Sequence, residues 1–174
     1  MSTILINEEN DVFVCGYNYY GQLGLGHNND INILTQIPNF KATSVSYDYN
    51  YTNFITKNNN VYGCGTVMHN DNTTNVPFKI SNFEASEIYC GACNSVFITK
   101  NNDVYICGDN YCGQLGLGHN KSIYAPTQIP NFKAISASCG VDYTIFITED
   151  YDVFVCGYNK YGQLGLNNTE TVNI

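Results

Sequence analysis

The sequence contains no arginine and no tryptophan, and seven lysines are its only strongly basic residues. Fifteen acidic residues give the chain a formal net charge of −8. A protein that binds nucleic acid directly needs a basic surface for the phosphates, and arginine is the side chain that most often recognises guanine. The composition therefore argues against direct binding of DNA or RNA.

Long apolar runs are also missing. No stretch approaches the roughly 18 apolar residues of a membrane-spanning helix. The N-terminal segment "MSTILINEENDVF" has neither the basic flank nor the apolar core of a signal peptide. We therefore expect no membrane association and an intracellular location, cytoplasmic or nuclear. In such a compartment the eight cysteines are expected to be reduced thiols.

No window of the sequence shows the 3.6-residue apolar period of an amphipathic helix. The chain instead contains 15 Tyr and nine Phe together with many Thr, Ile and Val, which favour strands. Short runs of alternating apolar and polar residues are separated by segments rich in Asn and Asp, which accept the backbone angles of turns. This pattern predicts an all-β fold.

An internal repeat covers the whole chain. One strand-like run recurs as "DVFVCG" (11–16), "NVYGCG" (60–65), "DVYICG" (103–108) and "DVFVCG" (152–157), at intervals of 49, 43 and 49 residues. The runs that precede it recur in the same order. Repetition at this period is typical of solenoids and propellers. We therefore predict a single repeat domain, 1–174, with units of approximately 1–36, 37–79, 80–128 and 129–174.

A glycine-rich segment follows three of these runs, as "YGQLGLG" (20–26), "CGQLGLG" (112–118) and "YGQLGLN" (161–167). A dinucleotide-binding loop has the order G-x-G-x-x-G between a strand and a helix. Here the order is reversed, no helix follows, and the segment is used three times. Asn167 replaces the last glycine, Gly26 or Gly118, and Asn is the residue that best tolerates a positive φ. The segment is thus interpreted as a tight structural connector and not as a phosphate site.

Cys90 and Cys93 have the C-x-x-C spacing of zinc and redox sites. A structural zinc needs two further ligands. The only candidates are Cys139 and Asp142, at the equivalent place in the next unit. Cys90 and Cys139 occupy the same repeat position, however, so packing explains them without a metal. We expect no metal site and no cofactor, and we interpret the four Cys-Gly cysteines, Cys15, Cys64, Cys107 and Cys156, as small buried apolar residues.

Two histidines directly follow glycine-rich segments, in "GHNND" and "GHNKS", and His69 lies in the shortened second unit. No nucleophile recurs beside them and no pair of carboxylates is spaced for acid–base chemistry. We therefore expect no catalytic residues. The loops that could contact a partner are predicted to contain His27, Asn28, His119, Asn120 and Lys121.

The repeat resembles that of the RCC1 family (regulator of chromosome condensation), in which a strand ending in Trp-Gly precedes Asn-x-x-Gly-Gln-Leu-Gly-x-Gly. The matching residues, with the glycines that end the strands, are Gly16, Asn18, Gly21, Gln22, Leu23, Gly24, Gly26, Gly108, Asn110, Gly113, Gln114, Leu115, Gly116, Gly118, Gly157, Asn159, Gly162, Gln163, Leu164 and Gly165. Cys-Gly replaces the family's Trp-Gly in all four units. The second unit has lost the Gly-Gln-Leu-Gly segment and is six residues shorter, so it resembles an eroded blade.

The resemblance implies blades of a β-propeller, which in this family has seven. Three to four antiparallel blades are present here, a partial propeller. The N-terminal unit lacks its first strand, and the chain stops where a new first strand would begin. Three explanations follow: two chains close one ring as a homodimer, the chain forms a smaller or open arc, or it is a gene fragment.

The leading functional hypothesis is a non-catalytic scaffold for protein–protein interaction, because rigid blades present many loops. The alternative that the resemblance implies is guanine-nucleotide exchange on a small GTPase, or association with chromatin through histones. Light sensing, which some relatives perform with tryptophans, is excluded because the sequence has none.

Overall fold

Every described strand belongs to one of four antiparallel sheets. The computed structural model describes residues 2–48, 50–66 and 73–173, and within these ranges no helix is long and apolar enough to cross a membrane. The strands are β1 (Ser2–Ile6), β2 (Asp11–Gly16), β3 (Ile31–Lys41), β4 (Ser44–Tyr47), β5 (Tyr51–Ile55), β6 (Asn60–Thr66), β7 (Thr73–Glu84), β8 (Glu87–Cys90), β9 (Asn94–Ile98), β10 (Asp103–Gly108), β11 (Ile123–Lys133), β12 (Ser136–Cys139), β13 (Tyr143–Ile147) and β14 (Val153–Gly157). The predicted all-β fold is confirmed.

Neighbouring strands of each sheet are also neighbours in sequence. The sheets have the orders β1-β2-β3, β4-β5-β6-β7, β11-β10-β9-β8 and β12-β13-β14. The hairpins that lead into β2, β6, β10 and β14 each turn through a residue of positive φ, which is Asn10, Asn59, Asn102 and Tyr151 respectively. Asparagine is suited to this position because its short polar side chain tolerates the left-handed conformation. The Asn-rich composition therefore has a local structural role at three of these four turns.

The long strands β3, β7 and β11 carry the ends of the sequence repeats. The predicted boundaries at 36/37, 79/80 and 128/129 fall inside these strands, so each strand contains the end of one unit and the start of the next. An alignment of the repeats gives the length of the repeat but not the residue at which one sheet ends and the next begins. The aligned sequences are equally similar wherever the first residue of the unit is placed. The single-domain assignment itself stays a prediction.

Two compact units, Met1–Ile88 and Tyr89–Ile174, each have a buried core. The first core is formed by Ile4, Val12, Val14, Leu23, Ile37, Ala42, Phe54 and Cys64. The second is formed by Val96, Ile98, Val104, Ile106, Leu115, Ile129, Ala134, Ala137, Phe146 and Cys156. In both units, therefore, the side chains of two consecutive sheets and the leucine of a glycine-rich segment pack together.

The shortened second repeat still forms a complete sheet of four strands. Its strands β6 and β7 pair from Asn60↔Glu84 to Thr66↔Thr73. His69 and the rest of the short link between them lie outside the described residues. The erosion of this repeat has thus removed the connector motif without removing the strands.

Candidate functional site in the connectors

Three connectors, residues 17–30, 109–122 and 158–171, contain the glycine-rich segments and follow β2, β10 and β14. The strand-ending glycines Gly16, Gly108 and Gly157 stand immediately before them. The asparagine that opens the motif is completely buried in each connector, at Asn18, Asn110 and Asn159. The connectors are therefore built around a buried polar side chain, which requires hydrogen-bond partners.

The first of these asparagines makes three hydrogen bonds to the backbone of its own loop. Asn18 Oδ1 accepts from the amide of Leu23 at 2.9 Å. Its Nδ2 donates to the carbonyls of His27 at 2.8 Å and Asn29 at 3.1 Å. Asn110 repeats this pattern with the backbone of Leu115, His119 and Lys121. Each asparagine thus joins both ends of its loop, and both of its side-chain polar atoms are hydrogen-bonded within the loop.

In the third connector, Asn159 Oδ1 accepts from the amide of Leu164 at 3.0 Å, and Nδ2 donates to the carbonyl of Asn168 at 3.1 Å. The two bonds join the same parts of the loop as in the other connectors. The leucines of the motif are buried at all three places, with Leu164 only 6% exposed. The polar bonds and the buried leucine therefore act together to hold the loop.

The glutamine of the motif links its connector to the following sheet. Gln22 Oε1 accepts from the amide of Tyr20 at 3.1 Å. The backbone carbonyl of Gln22 accepts from Thr52 Oγ1 at 2.8 Å and from Cys64 Sγ at 3.3 Å. Gln114 makes the corresponding bonds to Cys112, Thr144 and Cys156. In the last connector Gln163 Oε1 accepts from the amide of Tyr161 at 3.0 Å.

Two of the four cysteines that replace the family's tryptophan do more than the predicted apolar packing, and Cys15 is half-buried and not buried as predicted. Cys64 and Cys156 are buried and donate to the glutamine carbonyls. Burial raises the pKa of the Cys156 thiol to about 12, and burial also raises the pKa values of Cys64 and Cys107. These thiols remain protonated near neutral pH, which suits hydrogen-bond donation and not nucleophilic or metal chemistry.

The backbone of the glycine-rich segment has the geometry expected of a tight connector. Gly26, Gly118 and Asn167 have φ values of 83°, 72° and 57°, in agreement with the sequence-based prediction. At Gly21 a Cβ atom would lie 2.7 Å from the Cα of Asn75, which real side chains do not tolerate. Conformation and close packing therefore account for the glycines.

A phosphate-binding loop requires backbone amides that point toward a ligand. In the first connector the amides of Gly21, Gly24 and Gly26 donate to the carbonyls of Asn18, Gly21 and Asn75. The amides of Tyr20 and Leu23 donate to the side chains of Gln22 and Asn18. Because these five donors are satisfied within the protein, the observed geometry favours the structural interpretation of the segment.

The predicted loop residues lie at the surface but also hold the connectors in shape. The His27 and His119 rings accept from the amides of Asn29 and Lys121 through Nδ1, each at 3.2 Å. The side-chain amide of Asn28 donates to the carbonyl of Tyr19 at 2.9 Å, as Asn120 does to Tyr111 at 3.0 Å. Lys121 is exposed. Sequence reasoning missed these structural roles, although the nine-residue spacing from Asn18 to His27 and from Asn110 to His119 is visible in the sequence.

Tyrosine rings form the most exposed apolar surface of the connectors. Tyr19 is 67% exposed, Tyr111 is 73% exposed and Tyr161 is 81% exposed. In the first connector the Tyr19 ring stands at 87° to that of Tyr20, with 5.1 Å between centroids, and is stacked on Tyr17 at 6.4 Å. Packing of this kind limits the motion of the rings while it leaves one face open to solvent. A rigid amphipathic ring is well suited to a protein interface.

The C-x-x-C cysteines, Cys90 and Cys93, are both of intermediate exposure. Cys90 Sγ lies 3.7 Å from Ser95 Oγ. Within 2–48, 50–66 and 73–173, no three His, Cys, Asp or Glu side chains are grouped as potential metal ligands. His69, the third histidine named from the sequence, lies outside these ranges.

The RCC1 resemblance is supported by comparison with protein families. The regulator of chromosome condensation (RCC1) repeat matches residues 9–52 and 101–147, and a second description of the same repeat matches residues 85–114 and 134–163. Together these matches cover more than half of the chain. The chain belongs to the RCC1 repeat family. The predicted fold class, antiparallel propeller blades of the RCC1 type, is confirmed by the four sheets of the described residues.

Solved structures of two proteins have the same fold. Human WBSCR16 superposes with a TM-score of 0.86 at 20% identity, over 99% of this chain and 49% of its own. Yeast RCC1 (Prp20), in its complex with Kap60, superposes with a TM-score of 0.84 at 21% identity, over 99% of this chain and 46% of its own. A second structure, of Prp20p from Saccharomyces cerevisiae, gives a TM-score of 0.83 at 21% identity over 98% and 45%. The chain thus spans about half the length of these proteins.

One curated relative is similar over a shorter range. The bovine (Bos taurus) secretion-regulating guanine nucleotide exchange factor is 32% identical over 65 residues, which are 36% of this chain and 14% of the relative. The match therefore concerns a short run of repeats and not the whole exchange factor.

Proposed function

We propose that this chain is a non-catalytic RCC1-repeat protein that binds a protein partner through the exposed side chains of its connectors. The observation that carries the proposal is that each connector has buried residues that hold the loop and an exposed tyrosine that is available for binding. The motif asparagines and leucines are buried and the asparagines are hydrogen-bonded within their connectors, while Tyr19, Tyr111 and Tyr161 extend into solvent. A loop held so firmly is preorganised for recognition, which lowers the entropic cost of binding.

The charge of the chain favours a partner with a basic surface. The net charge is −8, and electrostatic complementarity increases the rate of association and selects against acidic partners. A histone is one protein of this chemistry, and yeast Prp20p has been characterised for its binding to histones. The chain would then associate with chromatin by binding a histone and not by binding DNA. An intracellular location, nuclear or cytoplasmic, belongs to the same proposal.

The proposal is tested by affinity capture with two matched double variants. Tyr19→Ser with Tyr111→Ser removes the exposed rings of two connectors. Tyr47→Ser with Tyr124→Ser serves as the control, because these rings are 42% and 45% exposed and lie in strands outside the connectors. We expect the wild-type chain and the control to retain a common protein that the connector variant loses. Equal retention by all three, with equal far-UV circular dichroism, would show that the connectors are not the binding surface.

A second candidate function is guanine-nucleotide exchange on a small GTPase. It is supported by the similarity to the bovine exchange factor and by the fold shared with yeast Prp20p, which has been characterised for its binding to Gsp1p. The first similarity covers 14% of the relative, and the second covers 45% of that chain. An exchange factor accelerates the release of GDP from its GTPase, whereas a scaffold binds without this effect.

Assembly into a homodimer that completes a propeller also stays a proposal. The described residues form four sheets, two of which have three strands. Two chains would thus contribute more sheets than the seven blades that the family implies, so a closed seven-bladed ring requires some of these sheets to merge. The mass in solution, measured by light scattering, distinguishes a dimer near twice 19.4 kDa from a monomer.

A further inference from the structure

Three tyrosine rings of the first connector, those of Tyr17, Tyr19 and Tyr20, pack on one another. The planes of Tyr17 and Tyr19 lie 14° from parallel with 6.4 Å between centroids. The Tyr20 ring stands at 73° to the first and 87° to the second, at 6.2 Å and 5.1 Å. Edge-to-face contacts at such distances are a preferred geometry of aromatic pairs. We name these three side chains the tyrosine cluster; Tyr19 is its exposed member, and the other two are half-buried.

Hydrogen bonds hold the backbone that carries the exposed ring and its perpendicular neighbour. The side-chain amide of Asn28 donates to the carbonyl of Tyr19 at 2.9 Å. The amide of Tyr20 donates to Gln22 Oε1 at 3.1 Å. The rings are thus supported both by each other and by the connector. A ligand that stacks on them loses little free energy to the ordering of the protein.

A carboxylate is fixed next to the tyrosine cluster. Asp30 Oδ1 accepts from the backbone amide of Asn18 at 2.8 Å, and Asn18 stands between two of the three tyrosines in the chain. Asp30 is exposed, and within the part of the chain that the structure describes no lysine forms an ion pair with it. The first lysine of the sequence is Lys41, which lies outside the connector. Aromatic rings beside a carboxylate that has no counter-charge favour the binding of a cation.

The second connector does not repeat this combination. At the positions of the three tyrosines it has Asp109, Tyr111 and Cys112, so only one ring is kept. Ser122 takes the place of the aspartate, and its hydroxyl oxygen accepts from the amide of Asn110 at 3.2 Å. A single ring without neighbours of its own kind gives a cation less aromatic surface.

The third connector keeps two rings but adds a cation. Tyr158 and Tyr161 pack with 6.0 Å between centroids. Lys160 stands at the position of the exposed Tyr19, and a threonine stands at the position of the aspartate. A lysine at this place repels a second cation. Among the three connectors, three rings with a carboxylate and no lysine therefore occur only in the first.

The packing of the rings indicates which cation fits. Centroids separated by 5.1 to 6.4 Å belong to rings in contact, so an ammonium group has no room between them, as it has in an aromatic cage. A cation must instead lie on the outer face of Tyr19. A planar guanidinium stacks on such a face and also donates two parallel hydrogen bonds to a carboxylate. The arrangement therefore favours arginine over lysine.

We propose that the tyrosine cluster of the first connector binds an arginine side chain of a partner protein. The guanidinium stacks on the exposed face of Tyr19, and the carboxylate of Asp30 accepts its N–H groups. This inference rests on the proposed function, because it names the chemistry that one of the connectors recognises. A basic, arginine-containing segment also agrees with the net charge of −8.

The test is an NMR titration of the whole chain with the peptide Ac-GGRGG-NH2, with Ac-GGKGG-NH2 as the matched comparison. Low ionic strength is used because salt screens exposed charges. We expect saturable shifts of the Tyr19 ring resonances with the arginine peptide. The lysine peptide should bind about two- to fivefold more weakly, which corresponds to the loss of one exposed cation–π contact.

Two variants and a matched control locate the site. Tyr19→Leu removes the aromatic face, and Asp30→Asn removes the charge but keeps an oxygen that can accept from the Asn18 amide. Each should weaken binding of the arginine peptide about two- to fivefold. Tyr111→Leu changes a tyrosine of similar exposure in the second connector, 73% against 67%. This control should bind the peptide as the wild-type chain does.

Three outcomes would overturn the proposal. These are the absence of saturable shifts at Tyr19, equal affinity for the arginine and lysine peptides, and equal weakening by Tyr19→Leu and Tyr111→Leu. Tighter binding of free L-arginine than of the peptide would identify a small-molecule site and would also contradict it.

The two proposals can fail separately. If the arginine peptide does not bind while affinity capture still depends on the connector tyrosines, the arginine proposal is wrong and the proposed function stands. If the arginine peptide binds at Tyr19 but capture is the same for wild type, connector variant and control, the arginine proposal stands and the proposed function is wrong.

Discussion

Removal of the Asn18 side chain is expected to destabilise the first unit strongly. Asn18→Ala eliminates three hydrogen bonds, to the amide of Leu23 and the carbonyls of His27 and Asn29. Leu23 is completely buried, so its amide loses its partner where water does not reach it, at a cost of about 1–3 kcal/mol. The two carbonyls belong to residues nearer the surface and can be hydrated, so each costs only about 0.5–1 kcal/mol. The expected loss is about 2–5 kcal/mol, a large part of the stability of an ordinary domain.

Asn28→Ala in the same loop is the matched control. Asn28 is exposed, and its two hydrogen bonds, to the carbonyl of Tyr19 and from the side chain of Asn75, are accessible to water. We expect this variant to lie within about 1 kcal/mol of wild type. The measurement is urea denaturation followed by far-UV circular dichroism, together with hydrogen exchange at the Leu23 amide. Equal stability of the two variants, or unchanged protection of that amide in Asn18→Ala, would refute the claim that the buried asparagine holds the connector.

Three further predictions concern the glycines, the thiols and an ion pair. Gly26→Asn should be tolerated because the nearest atom lies 3.8 Å from the new Cβ. Gly21→Asn should lower the midpoint of urea unfolding because its Cβ would lie 2.7 Å from backbone atoms. Equal unfolding midpoints for the two variants would contradict this prediction. Cys156, whose pKa burial raises to about 12, should react with a thiol reagent at pH 8 only after unfolding, as followed by peptide mass mapping; rapid native labelling would show that it is accessible. The hydrogen bond from Lys41 lowers the pKa of Asp11. The ion pair therefore stabilises the folded protein at pH values above the unfolded-state pKa of Asp11. This stabilisation is lost as the pH falls through the lower folded-state pKa. Carboxyl titration by NMR should show that Lys41→Met returns the pKa of Asp11 toward its ordinary value, and an unchanged value would disprove the pairing.

The sequence was sufficient to predict the repeat, the all-β fold and the structural role of the glycine-rich segment. These features leave a local signal: alternation in the strands, asparagine in the turns, and Asn167 in place of a glycine. The positive φ values of Gly26, Gly118 and Asn167 agree with that signal. A local requirement on the backbone can therefore be recognised in the sequence when it recurs at a fixed period.

Contacts between sheets could not be predicted in the same way. The thiol of Cys64 donates to the carbonyl of Gln22, 42 residues away, and Cys156 does the same to Gln114. From sequence these cysteines are only small apolar residues at a position where the family has tryptophan. A backbone carbonyl leaves no trace in the sequence, so its donor can be identified only from the folded structure.

The histidines show a related difficulty. Sequence reasoning placed His27 and His119 in partner-contacting loops because they follow a turn and are polar. The structure places them at the surface and also uses Nδ1 of each ring to cap a backbone amide. Sequence alone does not distinguish contact with a partner from capping of a backbone amide, because both roles favour a polar side chain beside a turn. The exposed tyrosines carry less of this structural role, which is why they are the better test of binding.

Release of labelled GDP from a panel of purified small GTPases tests most directly whether this RCC1-repeat chain is a scaffold or an exchange factor. The scaffold proposal predicts that the wild-type chain leaves the release rate of every GTPase at its basal value, even where the two proteins bind. Acceleration of release from one GTPase, lost in the Tyr19→Ser and Tyr111→Ser double variant and kept in the Tyr47→Ser and Tyr124→Ser control, would contradict it and establish exchange activity at the connectors.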